Sequence, residues 1–180
     1  IKKFFSDFFE KPNTFDDYGK LLFDKMFSNL SFDVGGEIVY ALHKVLTSRS
    51  DYFQAMLDGS FKEAQLPATG TAIPIKGIDV DVFKMIIEWI YTMDIKFLND
   101  LNNPSLLLYL ERVYVAADMY LLTDLCETIR KYIKHLLDDE NFGDVYQAAK
   151  RMGIESLEED VLQSWISESE SFNENDGQIK

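Results

Sequence analysis

One short β-hairpin followed at once by a long series of helical patterns is the feature that most constrains the fold. Apolar and polar residues alternate over residues 30–34, as in a half-buried strand. Gly35-Gly36 can supply the positive φ angles of a two-residue turn, and the apolar run at residues 38–42 returns as the partner strand. The sequence therefore predicts a hairpin before any long helix.

The residues after the hairpin change to helical spacing. The stretch "HKVLTSRSDYFQAML" predicts two short helices, with Ser50 placed to cap the second. A short strand is expected around residues 73–76, inside a loop rich in breakers, and four or five longer helices follow. The core-facing stripe that we assign to one of them consists of Leu106, Leu110, Val113, Ala117 and Tyr120.

Two further helices look like an appendage to this core. The apolar stripe over residues 142–152 can end in a left-handed cap at Gly153, and Ser156 with Glu159 predicts a capping box for the last helix. Beyond Ser167 the chain is acidic and polar, which is typical of a solvated tail.

The first residues leave two interpretations open. Phe4, Phe5, Phe8 and Phe9 recur at helical spacing, so they either cap the domain or belong to an upstream module. The chain also begins with Ile rather than Met, from which we expect it to be a piece of a longer protein.

Charge and cysteine content exclude several classes of function. The chain carries 31 acidic and 18 basic residues, for a net charge of −13, which repels a phosphate backbone and disfavours nucleic-acid binding. Cys126 is the single cysteine and cannot form an internal disulfide, and no signal-like or membrane-spanning apolar run occurs. We therefore expect no membrane association and a cytosolic or nuclear protein.

No constellation of residues predicts chemistry. His43 and His135 lie far apart without ligand-spaced neighbours, so a zinc site has no support. Cys126 sits in an amphipathic pattern and is expected to be a small buried hydrophobic residue. We expect no catalytic residue, no metal and no cofactor, which favours an interaction module over an enzyme.

Phe61 stands alone among polar residues in "DGSFKEAQ", just after a helical pattern. It is either the last core residue of that helix or an aromatic held out for a partner. Periodicity alone leaves both interpretations open.

Several blocks, in order, resemble the BTB/POZ domain family: "FSNLSFDVGGEIVYALHKVLTSRSDYFQAML", "FKMIIEWIYTMDI" and "VYVAADMYLLTDLCETIRKYI". The resemblance implies an α+β fold, in which a small mixed sheet is flanked by a cluster of helices and followed by a C-terminal helix pair. It also implies protein–protein assembly without catalysis. The expected division is a helical lead-in (1–27), the BTB/POZ domain (28–137), an extension similar to a 3-box or BACK segment (138–168) and a disordered acidic tail (169–180).

The same resemblance implies a partner. Phe61-Lys62-Glu63 is similar to the motif with which BTB substrate adaptors bind the N-terminal domain of cullin-3, so Phe61 and Glu63 are implied cullin-binding residues. Tyr120 is implied on a nearby surface, and the extension is implied to widen the contact. This points to the substrate-adaptor subunit of a cullin-3 RING ubiquitin ligase, with its substrate-binding module before Ile1 or after Lys180.

The resemblance also bears on dimerisation. It implies that His43 is a structural residue tying strand to helix at the end of the hairpin. Dimeric members keep an Asp at the start of the first strand and a basic residue after the His, and Asn29 and Lys44 stand at these positions. An Asn does not neutralise a buried Lys, which counts against a homodimer of the usual kind. A scaffold in transcriptional or cytoskeletal complexes without cullin binding remains the alternative, as does a channel-assembly domain, which requires a membrane segment.

Overall fold

The computed structural model describes residues 18–59, 61–95, 105–137 and 141–176, with side chains as far as residue 166. The strands are β1 (Leu30–Val34), β2 (Glu37–Ala41) and β3 (Ile73–Ile75). The helices are α1 (His43–Arg49), α2 (Asp51–Asp58), α3 (Val80–Thr92), α4 (Leu106–Met119), α5 (Thr123–His135), α6 (Phe142–Met152) and α7 (Glu155–Asp176). Short 3-10 turns occur at Tyr18–Leu21, Lys62–Gln65 and Pro67–Thr69. The aromatic residues before Tyr18 lie outside the described residues.

The chain divides into two compact units. The first comprises Ile1–Asn103 with Ala116–Leu122, and the second comprises Pro104–Val115 with Thr123–Lys180. Helix α4 contributes residues to both.

The first unit is built on a three-stranded sheet in the order β2-β1-β3. β1 and β2 are antiparallel, with Leu30 opposite Ala41, and β3 runs parallel to β1, with Phe32 opposite Ile73. Gly35-Gly36 makes the hairpin turn with φ angles of 62° and 93°, which glycine adopts without strain. The predicted hairpin, third strand and α+β class are confirmed.

An aromatic cluster forms the core of the first unit. Phe32 of β1 meets Phe53 of α2 and Phe83 of α3 edge to face, with ring centroids 5.9 and 5.3 Å apart. Tyr120, just after α4, stacks on Phe53 at 5.4 Å. Offset and edge contacts of this kind are the favoured aromatic geometries, so these four rings tie the sheet to its helices.

Local hydrogen bonds fix the short helices. As predicted, the Ser50 hydroxyl caps α2, accepting from the Phe53 backbone N–H at 3.3 Å. Arg49 at the end of α1 donates to the carbonyls of Ile90 and Tyr91, at 3.0 and 2.6 Å. Because the last carbonyls of a helix have no partner within it, Arg49 completes α3 while holding α1 against it.

The second unit is helical. Gly153 ends α6 in the predicted left-handed conformation, with a φ of 69°. The half-exposed Arg151 of α6 makes two hydrogen bonds to the buried carboxylate of Glu111 in α4, at 2.9 and 2.5 Å. This charged pair satisfies Glu111, which would otherwise be buried without a partner.

Two expectations for the last helix are wrong. α7 already begins at Glu155, so Ser156 lies in its first turn and accepts a hydrogen bond from Arg130 at 3.0 Å instead of forming a capping box. The helix also continues to Asp176, past residue 168, where we expected a disordered tail. No Pro or Gly interrupts the sequence between Glu155 and Asp176, so no residue forces the helix to end earlier.

Candidate functional site

An open, mostly apolar groove in the first unit brings three of the sequence-predicted residues together. It encloses about 460 Å³ between α2, the chain that follows α2, β3 and the end of α4. Phe61, Glu63 and Tyr120 all line it. The apolar residues beside them include Tyr52, Ala55 and Met56 of α2, Ile75 of β3, and Met119 and Leu121.

Gly59 lets the chain pass close to α2 shortly before Phe61. A Cβ atom added at this position would stand 2.2 Å from the carbonyl oxygen of Ala55, so the chain can leave α2 this closely only with glycine. Phe61 then begins the 3-10 turn Lys62–Gln65 with an extended backbone and is 58% exposed. The interpretation of Phe61 as the last core residue is therefore wrong, and Leu57 has that place.

Glu63 lies within the same 3-10 turn. Its backbone carbonyl accepts from the Leu66 N–H at 3.3 Å, which closes the turn. Its half-buried carboxylate lines the groove and forms no ion pair with the described residues. The turn thus presents Phe61 and Glu63 on one side of the groove.

Tyr120 is buried, with only 2% of its surface exposed, so the surface position implied by the resemblance is wrong. It packs against Phe53 and meets Tyr52 edge to face at 4.8 Å. Burial raises the pKa of Tyr120 far above its ordinary value, and the neighbouring Tyr52 raises it further. Tyr120 is therefore a neutral phenol that belongs to the core and also lines the groove.

His43 lies at the hairpin-to-helix junction, as expected, but its side chain turns toward α2. Its backbone N–H donates to the Asn29 Oδ1 at 2.8 Å, while its Nε2 lies 3.0 Å from the Asp58 Oδ1 at the end of α2. Asn29 thus satisfies one of the free N–H groups at the start of α1. Lys44 is exposed, and among the described residues its side chain makes no hydrogen bond with Asn29.

Sequence reasoning missed the groove's other walls. Met119 and Leu121 are 47% and 68% exposed on either side of Tyr120. Both fall outside the core-facing stripe of α4. Apolar residues at a helix end that do not follow the periodicity of the core-facing stripe are therefore the sequence signal that could have identified them. Asp51 also lines the groove, but one acidic residue at the start of a helix carries no such signal.

In the described ranges no three His, Cys, Asp or Glu side chains converge as metal ligands. None of the helices found there is both long and apolar enough to cross a bilayer.

Comparison with known proteins identifies the family. The BTB/POZ domain profile matches residues 19–137, so this chain belongs to the BTB/POZ domain family. Among curated proteins it is similar to "ARM repeat protein interacting with ABF2" of Arabidopsis thaliana, with 30% identity over 130 residues. It is also similar to "Kelch repeat and BTB domain-containing protein 4" of Mus musculus, with 26% identity over 129 residues. Among solved structures it resembles the BTB domain of zebrafish PATZ1, with 20% identity and a TM-score of 0.49, covering 75% of this chain and 95% of that one.

The matched region is a small part of the two curated relatives. The alignments cover 72% and 71% of this chain but only 17% and 22% of those proteins. What is shared is the BTB/POZ domain, which is a protein-interaction fold and generally not enzymatic. This chain is accordingly a protein-interaction domain.

Proposed function

We propose that this chain is the cullin-binding part of a substrate adaptor in a cullin-3 RING ubiquitin ligase. The observation that carries the proposal is Phe61, which is exposed just after the end of α2 at the edge of an apolar groove. It is the first residue of Phe61-Lys62-Glu63, which resembles the motif of cullin-3 adaptors at the matching place in the domain. The adaptor contributes binding energy and geometry, and its partners carry out the chemistry.

The groove has the physical character of an interface centre. An exposed aromatic side chain has few rotatable bonds, so it loses little entropy when a partner buries it. Phe61 stands beside the exposed side chains of Met119 and Leu121, which are also available for burial. Residues that dominate binding energy cluster in this way at apolar centres surrounded by polar groups.

The names of the curated relatives support a modular parent protein. One is described by its ARM repeat, and another by Kelch repeats together with a BTB domain. We propose that this chain is likewise joined to a substrate-binding module elsewhere in its parent, and that the helix pair α6–α7 adds to the cullin contact.

Calorimetric titration with the N-terminal domain of cullin-3 tests the proposal. We expect a one-to-one complex of micromolar or tighter affinity. Phe61→Ala should weaken it by tenfold or more, which corresponds to about 1.4 kcal/mol. The matched control is Phe27→Ala, because Phe27 is 56% exposed, belongs to the same unit and does not line the groove. We expect this control to bind like the wild type.

Two outcomes contradict the proposal. If the folded wild-type chain does not bind cullin-3, the proposal is wrong. If light scattering then shows a stable dimer, the scaffold alternative is favoured. An equal loss of affinity in both Phe→Ala variants shows that the effect is not specific to Phe61 and removes the observation that carries the proposal.

A further inference from the structure

The groove carries an uneven distribution of charge. Asp51, the first residue of α2, and Glu63 both line it, and neither side chain forms an ion pair with the described residues. Among the lining residues that the structure describes, the one cation is Lys76, which follows β3. On the side formed by α2 and the turn after it, the charged residues that line the groove are therefore both acidic, while the exposed Lys62 of that turn does not line it.

Tyr120 brings one polar group, its hydroxyl, to the lining of the groove. Within the described residues the Tyr120 hydroxyl makes no hydrogen bond, although only 2% of the residue is exposed. None of the fully buried side-chain polar atoms described lacks a partner, so this hydroxyl must open onto the groove that Tyr120 lines. A polar group held in this way is ready to bond to an occupant.

These features restrict the chemistry of the occupant. An apolar side chain fits the walls made by Met56, Phe61 and Leu121, while a backbone carbonyl beside it can accept from Tyr120. A carboxylate on the occupant would be repelled by Asp51 and Glu63, whereas a lysine or arginine would be attracted. The net charge of −13 acts in the same direction by steering basic partners toward the chain.

We propose that the groove selects a partner segment that carries a lysine or arginine in addition to the apolar anchor, and that Asp51 is the residue that pairs with this cation. The inference rests on the proposed function and adds a determinant of specificity outside Phe61-Lys62-Glu63. Asp51 is the first residue of α2, whereas Phe61 follows the end of that helix. The charge of Asp51 therefore acts on a different part of the partner from the part that Phe61 contacts.

Titration of Asp51→Asn with the N-terminal domain of cullin-3, at low and high salt, tests this inference. At low salt we expect binding weaker by about threefold to tenfold, because one attractive charge is lost. The difference should narrow at high salt, where the wild-type attraction is screened. The matched control is Asp81→Asn, which removes an exposed carboxylate from the first turn of α3, away from the groove, and should bind like the wild type.

Each other outcome overturns a stated part of the account. If Asp51→Asn binds like the wild type while Phe61→Ala binds more weakly, the role of Asp51 is wrong and the cullin proposal stands. A loss of affinity that is the same at both salt concentrations also contradicts charge pairing, because salt screens an attraction between charges. Thermal unfolding of the two Asp→Asn variants separates such a loss from a change in stability. Failure of the wild type to bind overturns both proposals.

Discussion

Phe53 and Phe61 lie on either side of Gly59 in one short stretch, yet they face opposite environments. Phe53 is completely buried between Phe32 and Tyr120, whereas Phe61 is exposed at the edge of the groove. The helical period of α2 places Phe53 in the core, and Gly59 ends that period before Phe61. The comparison teaches that residue type alone does not determine whether a phenylalanine lies in the core or at an interface. The path of the backbone at that residue determines it.

The largest expected effect is that of Phe53→Ala. Truncating a wholly buried ring leaves a cavity among Phe32, Tyr52 and Tyr120, so we expect a loss of about 3–5 kcal/mol in the free energy of unfolding. Urea unfolding followed by circular dichroism measures it. A loss of stability below about 1 kcal/mol would show that Phe53 is not a core residue.

Gly59→Ala should have the next largest effect. The new methyl group would meet the backbone of Ala55 at 2.2 Å and the Phe61 ring at 3.2 Å, so the chain after α2 has to move. We expect a loss of stability of about 1–3 kcal/mol, as for other overpacked sites.

The matched control for Gly59→Ala is Gly143→Ala. An added Cβ at Gly143 meets nothing within 4 Å, and alanine favours the helix in which it lies. We expect thermal unfolding to show no loss for this control. An equal loss in both variants would mean that the close approach at Gly59 does not hold Phe61 in place.

Tyr120 lies in the core and also lines the groove, and the ionisation of its phenol tests whether the ring is buried. Burial favours the neutral phenol, so the folded protein keeps the proton at pH values where the unfolded chain, with a tyrosine pKa near 10.0, loses it. The stability that this residue contributes is therefore full below pH 10 and declines as the pH rises above it. Absorbance titration of the wild type and Tyr120→Phe should assign no transition near pH 10 to Tyr120, and such a transition would show an exposed ring.

The smallest expected effect on stability is that of Phe61→Ala. An exposed side chain loses few contacts, so the free energy of unfolding should stay within about 0.5 kcal/mol of the wild type. The measurement is urea unfolding, run beside Phe53→Ala. A loss of similar size in the two variants would erase the distinction between them.

The parts of the fold that depend on neighbouring residues could be predicted from the sequence. The hairpin follows from local alternation and Gly35-Gly36, and the start of α2 follows from the capping position of Ser50. Tyr120 shows the limit of family resemblance. Its place in the core-facing stripe of α4 was correct, and its implied surface position was not.

The exposure of Phe61 could not be derived in this way. It depends on the approach of Gly59 to the Ala55 carbonyl, a contact that helical periodicity does not encode. The groove itself combines α2, β3 and the end of α4, which are distant in sequence. The acidic side formed by Asp51 and Glu63 became visible only once these elements were placed together.

Hydrogen–deuterium exchange of this chain, alone and saturated with the N-terminal domain of cullin-3, tests the central claim most directly. The account predicts slower amide exchange in α2, in the turn Lys62–Gln65 and around Tyr120, because the partner covers the groove that they form. Binding that leaves exchange in all three segments unchanged would contradict the account, since the cullin would then sit elsewhere on the chain.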